Sequence, residues 1–255
     1  MALIPIPVPG KQKSADLCRA FIAGAPRSAT GYVFFGANKS NVDVWNRVLA
    51  EGADYYYGDN SYFDETRGSH FRFTKNAIQV SVSDRSSDGR RFKDLGICLQ
   101  PWQNNAQGHY VLIEQSPSFM SEVCRRPTWF QDTLKALQGA GRALRVRGWD
   151  SDKAKLQKSL GADLIGAYRL VTYCSAAATT ALIHGIPIET GPASSYYPYN
   201  SIDRFDREPV LSILADHQWL VSELESGKAW DQINKKKKVG SHSLAVPATG
   251  LSNNN

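Results

Sequence analysis

Residues suited to chemistry concentrate in Leu164 to Pro187, LIGAYRLVTYCSAAATTALIHGIP, where a hydroxyl and a run of small side chains lie between a strand pattern and a helix pattern. A strand-to-helix turn without bulky side chains lets a phosphate approach free backbone N–H groups at the positive end of a helix. Ser175 falls at that turn, with its hydroxyl expected to face a ligand, and Ala176, Ala177 and Ala178 give the helix its propensity. Gly185 and Pro187 stop it and return the chain to a strand over Pro187 to Glu189. An ordinary α/β crossover has the same pattern, so both meanings stay open. Cys174 beside the turn reads as a small buried thiol filling space, because no activating neighbour can be named.

A second group interleaves rings and cations. Tyr55, Tyr56, Tyr57, Tyr62 and Phe63 stand close in sequence to Arg67, His70, Arg72 and Lys75, and Arg85, Arg90, Arg91 and Lys93 follow in a polar stretch. Stacking surfaces with flanking cations are what an extruded base and its neighbouring phosphates require. Tyrosines packed in a core and arginines solvating a loop would give the same composition. The net charge of +6 favours an anionic partner, and much of it lies in Lys235 to Lys238, which opens a basic tail over 235–255 that is expected to be mobile.

Other chemistries are excluded by pattern. No Gly-rich loop precedes a Lys-Ser/Thr pair, no Gly-x-Gly-x-x-Gly follows the first strand, and the five histidines lack metal-ligand spacing. Neither a metal nor an essential cofactor is therefore expected. Cys18, Cys98, Cys124 and Cys174 lie far apart and read as reduced thiols of a cytoplasmic protein. No apolar run approaches the ~20 residues that span a bilayer, and the proline-broken start MALIPIPVPGK does not look like a secretion signal.

The elements that must position these residues alternate. Gly31 to Gly36 reads as a buried strand, Asn41 to Gly52 as a helix with Val44, Val48 and Leu49 on one face, and Asp54 to Gly58 as a second strand. The following DNSYFDETRGSHFRFTKNAIQ reads mostly as loop, and Ser81 to Lys93 as a surface crossing. Strand His109 to Glu114, helix Trp129 to Gly139, strand Leu144 to Arg147 and a short helix Lys153 to Leu160 lead into the turn segment, and a helical stretch Glu208 to Ile233 closes the chain. Two small parallel α/β halves facing a cleft fit this order better than one continuous sheet.

With a strand, SAAATTAL, Gly185 and Pro187 in that order, the second half resembles the nucleotide-sugar-binding domain of GT-B glycosyltransferases. The chain also looks like small phage-encoded proteins with a YYYGDN-like loop early and a serine turn late. The resemblance implies two Rossmann-like domains: an acceptor-binding one over 1–95 and a nucleotide-sugar-binding one over 96–234. Many members carry paired serines at the turn and an acidic ribose-gripping residue further along. Those places here hold Cys174 with Ser175, and Thr180, which gives one hydrogen bond but no charge-assisted pair.

In such a site Arg145 or Arg147, alternating on one strand, would clamp the diphosphate, and Ser116 and Ser118 would add hydroxyl contacts to phosphate or sugar. Asp59, in Gly58-Asp59-Asn60 just after a strand, is the first choice for the base that takes the acceptor's hydroxyl proton. Asp64, Glu65 and His70 are the reserves, and a turn-forming Asp59 is the plain alternative. By analogy with DNA-modifying phage enzymes, the expected activity moves hexose from a nucleoside diphosphate sugar, with a UDP-sugar the expected donor, to a hydroxymethylated pyrimidine of double-stranded DNA. Transfer to a polysaccharide or small molecule, and a non-catalytic nucleic-acid-binding module, remain as alternatives.

Overall fold

The computed structural model describes residues 2–83, 85–149, 159–200, 202 and 204–235. In chain order the elements are β1 (Leu3–Pro7), α1 (Gln12–Ala23), β2 (Gly31–Phe35), α2 (Val42–Ala50), β3 (Tyr55–Asn60), β4 (His70–Lys75) and α3 (Arg90–Asp94). The second part continues with β5 (His109–Ile113), α4 (Trp129–Gly139), β6 (Leu144–Arg147), α5 (Leu160–Leu164), β7 (Ala167–Thr172), α6 (Ala177–Ile183), β8 (Ile188–Thr190), α7 (Arg207–Asp216), β9 (Gln218–Leu220), α8 (Val221–Glu225) and α9 (Lys228–Asn234). The expected helix over Lys153 to Leu160 and the tail beyond Lys235 fall largely outside the described residues.

The fold is mixed α/β with two sheets. The first has the order β1-β2-β3-β4-β9, with β1, β2 and β3 parallel and the last two strands antiparallel to their neighbours; the second has the order β6-β5-β7-β8 and is parallel throughout. Leu112, Leu170 and Val171 are fully or almost fully buried, as strands covered by helices on both faces must be. Pro5 and Pro7 are tolerated in β1 because it lies at the sheet edge, where a missing N–H costs no ladder bond on the open side.

Three expectations change. The start is not loose: β1 is followed by α1, which buries Leu17, Cys18 and Phe21 at helical spacing. The region after β3 is not mainly loop: HFRFTK forms β4, with Phe71 and Phe73 in the first sheet's core and Arg72 and Thr74 on its other face. The closing stretch is not one helix, because β9 interrupts it to pair with β4, and Trp219 packs in the first sheet's core. The division expected at 95/96 is therefore crossed again near residue 217.

The two halves also share an interior. Tyr62, Phe63, Val80, Val82 and Phe92 pack in one cluster with Val111, Leu170, Leu182 and Leu214, so the expected cleft is filled on this side. Gln79 reinforces the joint: its Nε2–H donates to Cys174 O and its Oε1 accepts from Ser195 N at 2.9 Å. Arg91 fixes α3 to the chain end, with Nη1 2.7 Å from Glu223 Oε1, Nη2 3.0 Å from Oε2 and a further bond to Gln218 O.

His217, buried between α7 and β9, makes this joint sensitive to acid. Its Nδ1–H donates to Ile213 O at 2.7 Å while its Nε2 accepts from Arg85 Nη1 at 2.9 Å, which only the neutral ring can do. Burial, and then the Arg85 charge, hold its pKa down at about 4. The unfolded chain takes up this proton near pH ~6.5, so stability is retained above that pH and lost as pH falls toward the folded value. The complete shift corresponds to about 3 kcal/mol. Melting temperature should fall between pH 7 and 4.5, and His217→Asn should remove that component; identical slopes in both proteins would refute the assignment.

Candidate active site

The second sheet has one switch point. From β5 the chain moves to β6 on one side and then crosses to β7 on the other, so the carboxyl ends of β5 and β7 bound a crevice between connections that diverge. Ligands of open parallel sheets bind at such a place. The loop after β5 supplies Gln115, Ser116 and Ser118, and the loop after β7 supplies Tyr173, Cys174 and Ser175. Gln115 spans the crevice: its Oε1 accepts from Cys174 N at 2.7 Å and its Nε2 lies 3.3 Å from Cys174 Sγ.

The turn has the predicted form, with modified roles. Ser175 Oγ accepts from Ala177 N at 3.2 Å, so the hydroxyl is engaged with the backbone at the first residue of α6. Ala176 takes a helical conformation just before α6. Ser116 and Ser118 are half-buried and joined Oγ to Oγ at 3.0 Å. The Cys174 thiol is held below its ordinary pKa, first by a hydrogen bond from Cys124 and against the effect of burial, with Gln115 and the Arg72 charge helping. Cys124 is pushed far up by the same bond and by burial, so it keeps its proton.

From the first sheet, β3 carries Asp59 next to its C-terminal residue. Asp59 Oδ2 accepts from Arg72 Nη2 at 2.8 Å across the β3–β4 pair, and its Oδ1 accepts from Asn60 N at 2.7 Å. The Asp59 and Arg72 charges both act on Cys174. Its side chain is 32% exposed, whereas that of Arg72 is 7% exposed. Burial is the largest influence and pulls the Arg72 pKa down, but Asp59, Tyr62, Tyr57 and Cys174 together outweigh it and the guanidinium stays protonated. Its Nε and Nη1 are buried without a hydrogen-bond partner, and the group lies 4.7 Å from the Tyr62 ring centroid.

A second carboxylate arrives from the same loop. Thr180 Oγ1 donates to Asp64 Oδ2 at 2.9 Å, so the position lacking an acidic side chain in α6 receives one from the other half. Glu65 follows Asp64 in the same 3₁₀ turn. His70, the remaining reserve base, bonds Ser69 Oγ at 2.9 Å; burial, then Arg91 of α3, lower its pKa while Glu223 of α8 raises it.

Several expected contacts are engaged elsewhere. Arg147 pairs with Asp163, and Arg145 Nη1 lies 3.4 Å from Ala162 O and 3.5 Å from Asp163 O, so both arginines secure α5. Tyr57 and Tyr62, expected to stack on a base, are 2% and 1% exposed and belong to the core. Tyr62 Oη accepts from Val80 N. Lys75 pairs with Asp54 at 2.6 Å, Arg67 with Asp64, Arg90 with Asp88 at 2.6 Å and Arg91 with Glu223. The aromatic part of the pattern is thus core packing, while Arg67 and Arg90 stand in exposed ion pairs.

Gln79 and Gln115 were not singled out by sequence. The available signal was a glutamine two residues past the apolar strand HYVLI, while Gln79 carries no local signature. Among the described residues no group of three or more His, Cys, Asp or Glu side chains is placed to hold a metal ion. No described helix is long and apolar enough to cross a membrane.

No protein-family model matches the chain, and no curated protein matches it. Among solved structures, it is similar to the KpsC beta Kdo 2,4 transferase of Thermosulfurimonas dismutans, at 12% identity over 83% of this chain and 89% of that one, with a TM-score of 0.49. A likeness this loose does not bear on function.

Proposed function

We propose that the chain is a glycosyltransferase that moves a sugar from a nucleotide-sugar donor to a hydroxyl acceptor. The observation that carries this reading is the meeting of the switch-point crevice, with Gln115, Ser116 and Ser175, and the β3–β4 segment of the other half, whose Asp64 accepts from Thr180 of α6 at 2.9 Å and whose Asp59 charge reaches Cys174. The donor's phosphate oxygens would lie along the crevice. As the acceptor oxygen bonds to the anomeric carbon, the bond from that carbon to the phosphate oxygen breaks. Asp59 takes the hydroxyl proton, and the leaving phosphate carries away the electron pair.

For the acceptor, a saccharide is favoured over DNA. Between residues 77–81 and 192–198 lies a groove of about 380 Å³ whose lining includes Tyr55, Gln79, Ser194, Ser195 and Tyr197, with no charged side chain among its described lining residues. Aromatic and hydroxyl groups without cations suit a neutral sugar better than a phosphate backbone. A hydroxymethylated pyrimidine in DNA remains the acceptor to compare.

The experiment offers the purified protein nucleoside mono- and diphosphate sugars, each with neutral oligosaccharides or hydroxymethylated DNA, and seeks a sugar-sized mass gain. Saccharide products are expected. Gain on DNA alone would reverse the acceptor assignment, and no gain or donor hydrolysis with any pair would overturn the transferase reading.

A further inference from the structure

No neighbour along the chain activates Cys174, but the fold brings one. Cys124, just past the helical turn Phe119–Val123, packs against the small cluster of Met120, Tyr173 and Cys174, and the two thiols are hydrogen-bonded to each other. The remaining cysteines are placed differently: Cys18 donates its S–H to Val33 O at 3.3 Å in the first sheet's core, and Cys98 is exposed.

A buried thiol usually fills space and stays inert. Cys174 is 3% exposed, yet Gln115 Nε2–H donates to its Sγ at 3.3 Å and the Cys124 S–H donates to the same sulfur. Two donors on one sulfur favour its thiolate, while half-buried Cys124 keeps its proton. A thiolate with a second thiol against it passes from its first oxidation to a disulfide, because the partner resolves the oxidised sulfur before further oxygen is added. Burial limits the oxidant to a small one.

We propose that Cys124 and Cys174 form a reactive thiol pair that hydrogen peroxide converts to a disulfide, fastening the segment after β5 to the turn after β7. The Cys174 thiolate attacks one peroxide oxygen, the O–O bond breaks, and the departing hydroxide takes up a proton and leaves as water. Cys174 is then a sulfenic acid. The Cys124 sulfur attacks it, the S–O bond breaks, and the hydroxyl leaves with the Cys124 proton as a second water. The two thiols lose two electrons and two protons, and the peroxide gains them. The new bond lies across the switch point of the second sheet, between the loop that carries Ser116 and Ser118 and the one that carries Ser175.

The full chain, fully reduced, is exposed to hydrogen peroxide at neutral pH, unfolded in an alkylating agent, and mapped by peptide mass. The expected product lacks two hydrogens and holds a linked peptide pair containing Cys124 and Cys174, which dithiothreitol separates. Held in contact, these two should pair about 10-fold or more faster than any other two cysteines of the chain. Peroxide added in guanidinium chloride should abolish that preference. Cys124→Ser should leave Cys174 as a sulfenic acid that dimedone captures.

Should the variant fail to fold, the wild-type map decides alone. Both thiols remaining free at a peroxide dose that oxidises exposed Cys98 would overturn the pair, as would a link from Cys174 to another cysteine or an equal preference in the unfolded chain. This inference goes beyond the transferase reading and does not need it. A chain that forms the link but transfers no sugar keeps the pair and loses the transferase; one that transfers sugar while both thiols resist peroxide keeps the transferase and loses the pair.

Discussion

Asp59→Asn is expected to reduce sugar transfer by about 10²–10⁴-fold, the usual contribution of a positioned general base. The amide preserves the shape and still accepts from Arg72, but it cannot take a proton. Donor affinity should change little, so the loss should appear in kcat and not in KM. The substitution also removes the countercharge of a buried guanidinium. Since Asp59 is 32% exposed, the accompanying loss of stability should stay near 1–3 kcal/mol. Kinetics should therefore be measured well below the variant's melting temperature. Activity within about threefold of wild type would exclude Asp59 as the base and turn attention to Asp64.

Gly185→Ala should produce the largest loss of stability at the turn segment. Gly185 has φ +71°, a conformation that L side chains rarely adopt, and an added Cβ would run into the carbonyl oxygen of Pro101. That neighbour is backbone and cannot swing aside. Left-handed strain and overpacking together should cost about 2–4 kcal/mol. For a chain of this length the melting temperature should drop by roughly 5–15 °C. Gly139→Ala is the control, because Gly139 has open space around it and an ordinary helical position. Equal melting temperatures for Gly185→Ala and wild type would show that the 99–103 segment yields freely.

What could be read in the sequence follows from where the information resides. The strands at Gly31, Tyr55 and His109 are dense apolar runs bounded by turn residues, and α4 shows helical spacing over the range observed, Trp129–Gly139. The turn at Ser175 was legible for the same reason. By contrast, β4 contains a buried arginine whose countercharge lies thirteen residues upstream, so its alternation looked too polar for a core strand. The three residues of β9 are too short to show a period, and their partner lies about 150 residues away. The aromatic cluster misled because ring and cation counts are the same for a nucleic-acid surface and for a core edged by ion pairs. Gln79 and Gln115 act only through tertiary contacts, which no local pattern encodes.

After building the second sheet the chain returns to the first, since β9 joins it at the edge opposite β1. A gene cut between the halves would deprive the first part of its terminal ribbon and the second of the aromatic residues that fill its base. Each piece alone would expose apolar surface that the other covers in the whole chain.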